Sequence, residues 1–187
     1  MNFANKISTF RILSVPFFVA CLIYYSPQRP YLRFIALSIF VLAVISDAVD
    51  GYIARKSRLK SKAGLILDPL GDKLLLMSAF IFLYKFPVGA ITFPKEIILI
   101  VLSRDIIILL GAVVLYMVRQ AIDITPTLWG KLTTIFQMFS VLAVILQLDY
   151  AYIFWWLAVI LTVISGADYI RRGFKVLYAM DNSRNNH

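Results

Sequence analysis

The sequence predicts an all-α integral membrane protein of six transmembrane helices with an N-terminal interfacial helix. Three observations carry this. Of the 187 residues, 61% are hydrophobic and the mean hydropathy is +0.83, whereas soluble domains sit nearer half apolar. The apolar residues come in six long runs, and a run of roughly 20 residues is what a helix needs to cross the hydrocarbon. Short polar breaks, several with Pro or Gly, separate the runs, and the cations gather on alternate breaks.

Taken in order, the stretch "NKISTFRI" is basic and amphipathic, as expected of a helix lying at the interface before the chain turns in. The first span covers about Ile12 to Tyr25 and stops at "SPQRP". The second runs from about Arg33 to Tyr52 and the third from about Leu65 to Tyr84. After "KFPVGAITFPKE", a turn with two prolines, the fourth covers Glu96 to Val118. "RQAIDITPTLWGK" is the next polar loop. The fifth covers Leu132 to Leu148 and the sixth Tyr150 to Ile170. Residues 175–187 read as a flexible polar tail, and residues 1–187 as a single membrane domain.

Nineteen Lys and Arg against ten Asp and Glu give a formal charge of +9. In a chain of this hydropathy the excess reflects topology and anionic headgroups, not nucleic acid. With the N-terminus cytoplasmic, thirteen of the 19 cations fall inside, four outside and two (Lys73 and Arg104) within spans. Both termini are therefore expected in the cytoplasm. Cys21 stands alone in an apolar run, which excludes an internal disulfide, and His187 is terminal. No cleavable signal peptide is expected.

Against this apolar background, "SDAVDGYIARKSRLKSKAGLILDPLGDK" gathers four aspartates, Asp47, Asp50, Asp68 and Asp72, with five cations between the two pairs. The pairs are spaced i,i+3 and i,i+4, and either spacing puts two residues on one helix face. Both pairs fall at the cytoplasmic ends of neighbouring antiparallel spans. Clustered carboxylates at a membrane boundary repel one another and are costly to desolvate. They either pair with the loop cations or bind divalent metal, and all-oxygen donors suit Mg²⁺ or Mn²⁺. Gly51, Ala54, Gly64 and Gly71 leave the helix surfaces bare. Small residues also serve close helix packing, but beside four carboxylates and Arg55, a fork for phosphate, a ligand pocket is the stronger reading. Pro69 either marks the first turn of the third span or, in a helix that begins near Gly64, frees a carbonyl.

Written out, the stretch is D-x-x-D-G-x-x-A-R, eight residues, then G-x-x-x-D-x-x-x-D. It resembles the signature of the CDP-alcohol phosphatidyltransferase family at every fixed position: Asp47, Asp50, Gly51, Ala54, Arg55, Gly64, Asp68 and Asp72. The chain's size and six-span layout fit as well. The resemblance implies a membrane enzyme, usually a homodimer, that moves a phosphatidyl group from CDP-diacylglycerol to an alcohol and releases CMP. It implies that Asp47, Asp50, Asp68 and Asp72 hold two metal ions, Mg²⁺ or Mn²⁺, with Asp72 also the general base. It places Arg11, Gly51, Ala54, Arg55, Ser61 and Gly64 at the CDP-diacylglycerol site. "NKISTFRI" is similar to the family's N-x-x-T-x-x-R entrance, with Ser8 in place of threonine. The donor's diphosphate and the acceptor's weakly acidic hydroxyl suit metals and a carboxylate base. No covalent nucleophile is in reach, so direct in-line attack is expected.

Two further stretches bear on the acceptor. "WGKLTTIFQ" places Lys131, Thr134 and Gln137 at the start of the fifth span. It resembles the G-K-x-K-T-x-x-Q segment of family members that form phosphatidylglycerol phosphate, with Thr133 in place of the second lysine. "LSRDI" puts Arg104 and Asp105 inside the fourth span, where an Arg normally faces a polar cavity. Arg104, Lys131 and Thr134 would then hold the phosphate of glycerol 3-phosphate. Arg104 pairing with a carboxylate and Lys131 merely reaching for the interface are the plainer alternatives. The S-R-D sequence also resembles cardiolipin-forming members, which use phosphatidylglycerol. A divalent-metal transporter is the remote alternative, but it would spread acidic residues along a path, and the outer half holds only Glu96 and Asp149. Asp168 is expected to pair with Arg171 or Arg172.

Overall fold

A computed structural model of the chain describes residues 3–57, 64–119 and 127–184, with side chains described over 11–46, 73–111 and 127–172. Six α-helices follow in order: α1 (Phe3–Ile23), α2 (Tyr31–Ser57), α3 (Gly64–Lys85), α4 (Lys95–Arg119), α5 (Leu128–Leu146) and α6 (Ala151–Arg184). Among the described residues there is no strand. Leu128–Leu146 and Ala151–Arg172 are long and apolar enough to cross a membrane, and Arg11–Ile23 and Tyr31–Ser46 are shorter apolar stretches.

The N-terminal stretch differs from the sequence expectation. "NKISTFRI" is the beginning of α1 itself, not a separate interfacial helix. No Gly or Pro stands between Asn5 and Leu13, so nothing there ends the helix. Pro16 lies inside α1 and cannot donate to the carbonyl of Ile12, a loss that membrane helices accommodate. At the other end, α6 continues helical through Arg184, past the point where a tail was expected to leave it.

The chain divides into two compact units. One comprises Met1–Pro94 and Ser140–Ala151. In it α1 packs on both α2 and α3. Among the described residues of α1, Arg11, Ser14, Phe18 and Leu22 are buried, spaced three and four apart along one stripe, while Leu13 and Phe17 are exposed. Ala36, Phe40 and Ala43 form the matching stripe of α2, and Phe18 meets Phe40 with ring centroids 5.8 Å apart. Lipid tails are as apolar as leucine, so such packing rests on close fit and dispersion more than on exclusion of water. Between α1 and α2, Arg29 N–H donates to Ser26 O at 2.8 Å and Arg33 N–H to Pro30 O at 3.2 Å. This tight connection turns the chain back on itself.

The same unit holds a clip at the end of α5. Leu148 N–H donates to Ala143 O at 2.9 Å and Gln147 N–H to Val144 O at 3.1 Å, the paired bonds of a Schellman cap. Gln147 occupies the left-handed position, φ 58°, which usually belongs to glycine. Its side chain explains the choice. Nε2 donates to Ile91 O at 2.9 Å and Val144 O at 2.8 Å, and Oε1 accepts from Ile91 N–H at 2.9 Å. The amide thus pairs with the α3–α4 connection as a neighbouring backbone would. Gly89 permits this, because a Cβ there would overlap the Gln147 side chain. In the same connection Phe93 is buried against Phe80, centroids 4.6 Å apart.

The other unit comprises Lys95–Phe139 and Tyr152–His187. Tyr169 Oη of α6 donates to Ile108 O of α4 at 3.2 Å. Gly111 makes room for that ring, since a Cβ there would stand 2.6 Å from the hydroxyl. Phe139 of α5 faces Phe154 of α6, centroids 6.1 Å apart. On α6, Ala158, Val159, Thr162 and Ser165 are buried, whereas Trp156, Ile160, Val163 and Ile164 are exposed. The helix therefore has one protein face and one apolar outer face.

Candidate active site

The helix bounds decide how the aspartates are placed. Because α2 reaches Ser57, Asp47, Asp50, Gly51, Ala54 and Arg55 all fall within one helix. Counted along the helix, positions 47, 50 and 54 follow 36, 40 and 43 at spacings of three and four. Because α3 begins at Gly64, Gly64, Asp68 and Asp72 fall at every fourth position from its start. Its buried Leu76, Ala79 and Leu83 extend that register inward. Pro69 is consequently inside the helix, and the carbonyl of Leu65 receives no bond from it. The side chains of these residues lie outside the described ones, and so does Ser61 altogether.

Helix α1 carries Arg11, whose side chain is among the described ones of this unit. Arg11 is 2% exposed on the stripe that also carries Phe18. It precedes Phe18 by two turns, about 10 Å of rise. On α2, which the short connection folds back on α1, two turns beyond Phe40 is position 47. Arg11 on α1 and position 47 on α2 thus each lie two turns from the Phe18–Phe40 contact.

The second group belongs to the other unit. Arg104, 8% exposed, sits in α4. Its Nη1 donates to Asp105 Oδ1 at 2.7 Å and its Nη2 to Ser165 Oγ of α6 at 2.6 Å. Its Nε is buried with no acceptor among the described residues. Gly130 at the start of α5 lies beside the guanidinium, since a Cβ there would stand 3.5 Å from Nη2 and 3.6 Å from Ser165 Oγ. Thr127 caps α5, its Oγ1 accepting from Gly130 N–H at 3.0 Å.

One residue on, Lys131 is exposed. Thr134 is half-buried, and its hydroxyl donates to Gly130 O at 3.1 Å. In that rotamer it offers a ligand only an acceptor, so donating to a phosphate requires the hydroxyl to turn. Thr133, which stands where the resembling segment has a second lysine, donates to Trp129 O at 2.8 Å and is fully buried. Gln137 is also fully buried, and neither amide atom has a partner among the described residues.

Of the residues singled out from the sequence, Arg104 and the opening turn of α5 are brought together. Sequence reasoning missed Ser165, which a reader of α6 takes for one small residue in an apolar face. The available signal was that an arginine inside an apolar run needs acceptors. Asp168 does pair with Arg172, at 3.1 Å. Among the described residues no group of three His, Cys, Asp or Glu could hold a metal, so the four aspartates are the donor set the sequence offers. All are oxygen donors, which fits a hard divalent cation.

Helices of this order, with an acidic signature split across α2 and α3, define a class. The profile of the CDP-alcohol phosphatidyltransferase family matches residues 1–164, and the chain belongs to that family of membrane transferases of phospholipid synthesis. Among its relatives is a probable phosphatidylglycerophosphate synthase of Mycobacterium tuberculosis, 32% identical over 180 residues, 93% of this chain and 82% of the relative. A CDP-diacylglycerol–glycerol-3-phosphate 3-phosphatidyltransferase of Bacillus subtilis is 29% identical over 195 residues, 94% of this chain and 97% of the relative. One of the same name from Rickettsia bellii is 32% identical over 179 residues, 91% and 94% of the two chains.

Proposed function

We propose that the protein transfers the phosphatidyl group of CDP-diacylglycerol to glycerol 3-phosphate, giving phosphatidylglycerol phosphate and CMP. The carrying observation is the intact eight-position signature, held within two continuous helices that both pack on α1. The names of the Bacillus and Rickettsia relatives support the acceptor.

Asp47, Asp50, Asp68 and Asp72 would hold two divalent ions, Mg²⁺ or Mn²⁺. When bound, these would supply the positive charge that a diphosphate and a departing CMP require. Arg11 and Arg55 would grip the donor diphosphate, and Gly51, Ala54, Gly64 and Ser61 would leave room for the nucleotide. Arg104, Lys131 and Thr134 would hold the acceptor phosphate. Asp72 would take the proton of the acceptor hydroxyl as its oxygen bonds to the phosphatidyl phosphorus and the bond to CMP breaks. Six spans in the bacterial inner membrane, both termini cytoplasmic, and a homodimer complete the proposal. The cation distribution supports the orientation.

Purified protein in detergent or lipid, given CDP-diacylglycerol and Mg²⁺, is offered glycerol 3-phosphate, phosphatidylglycerol or inositol phosphate separately, and CMP is measured. CMP release is expected with glycerol 3-phosphate. Turnover with phosphatidylglycerol alone would make the protein a cardiolipin-forming enzyme instead.

A further inference from the structure

Arg104 is a cation set almost wholly inside the protein, and a guanidinium there needs its donors matched. Asp105 Oδ1 and Ser165 Oγ take one nitrogen each, at 2.7 and 2.6 Å. They approach different ends of the same planar group. One held nitrogen still lets the plane swing about the side chain, whereas two held nitrogens fix it. Nε, which shares the side-on edge with Nη2, is left buried with no acceptor among the described residues, and Nη2 carries a second hydrogen besides the one it gives Ser165. That edge is one of those through which an arginine binds phosphate oxygens in pairs. Gly130 and Gly166 flank the side chain, with positions for a Cβ 3.5 Å from Nη2 and 3.6 Å from Cγ. Gly130 also adjoins Lys131.

We propose that Ser165 is a positioning residue for the acceptor: its hydroxyl, on α6, sets the plane of the Arg104 guanidinium so that the Nε edge presents donors to the acceptor phosphate. This rests on the reading of Arg104 as an acceptor ligand. Ser165 does not touch the acceptor, and the donor nucleotide does not feel it. Asp105 belongs to the same helix as Arg104, whereas Ser165 connects the arginine to α6.

The test is steady-state kinetics of the full-length protein in mixed micelles, with each substrate varied in turn. Ser165→Ala and Ser165→Cys, which keeps the volume but is a poor acceptor, are expected to raise KM for glycerol 3-phosphate about tenfold. Both should leave kcat and the KM for CDP-diacylglycerol within about twofold, because a charge-assisted bond to Arg104 serves the acceptor alone. Ser165→Thr, which retains the hydroxyl, should restore the acceptor KM. Arg104→Lys should raise the same KM, and adding Ser165→Ala to it should have little further effect. If Arg104→Lys raises the acceptor KM and neither Ser165→Ala nor Ser165→Cys does, the positioning role is wrong and the reading of Arg104 stands. If Arg104→Lys leaves it unchanged, the reading of Arg104 fails and the proposal with it. Equal effects of the Ser165 variants on both substrates, not rescued by threonine, would show a merely structural role and overturn the proposal.

Discussion

Replacing Gln147 separates two opposing contributions at one residue. The side chain makes three hydrogen bonds, two to Ile91 and one to Val144, together about 3 kcal/mol at roughly 1 kcal/mol each. Its left-handed backbone costs about 1 kcal/mol in a residue with a Cβ. Gln147→Gly loses the bonds and relieves the strain, a net destabilisation of about 2 kcal/mol. Gln147→Ala loses the bonds and keeps the strain, about 3 kcal/mol. Gly89→Ala should act on the same clip by driving the Gln147 amide off Ile91, at about 2–3 kcal/mol. In the Gln147→Gly background it should cost almost nothing, because no side chain remains to overlap. The assay is unfolding in mixed micelles by SDS titration of the four variants beside the parent. A Gln147→Gly protein as stable as the parent, or additive Gly89→Ala and Gln147→Gly effects, would refute the reasoning.

Three further outcomes are expected. Asp72→Asn should abolish CMP release while leaving CDP-diacylglycerol binding, measured by ligand-dependent thermal shift, largely intact; near-normal turnover would remove its role as base. Lys131→Ala should raise the KM for glycerol 3-phosphate about tenfold, more than that for the donor, as loss of a charged contact to phosphate predicts. Gln137→Leu should raise stability by about 1–3 kcal/mol in SDS titration, because it removes a buried amide with neither atom partnered among the described residues, and should slow turnover if that amide serves the substrate.

The helices were legible in the sequence because each is a long apolar run between polar breaks, and their order and approximate ends follow from that alone. The i,i+3 and i,i+4 spacings were legible too, since register within one helix is fixed by counting residues. The ends of α1 and α6 were harder. A basic amphipathic stretch and a polar tail are as compatible with continuing a helix as with leaving it, and α1 and α6 continue. The Gln147 clip left no mark, because a left-handed cap is announced by glycine and here the side chain replaces it. Nor did the bond from Arg104 to Ser165 leave one. Sixty-one residues separate them, and only the packing of α4 on α6 brings them together.

The length of α6 has a bearing on how the protein sits in lipid. Its 34 residues measure about 51 Å, well beyond a hydrocarbon layer of about 30 Å. In the proposed topology the uncharged stretch from Ala151 to Ala167 would fill most of that layer, and the Asp168–Arg172 pair follows at once. A slip of one turn deeper would drag this pair into the oily interior, and a slip the other way would carry Ile153 and Phe154 out of it. So placed, the helix would work as a depth gauge. A thicker bilayer is expected to thin around α6, and a thinner one to tilt it.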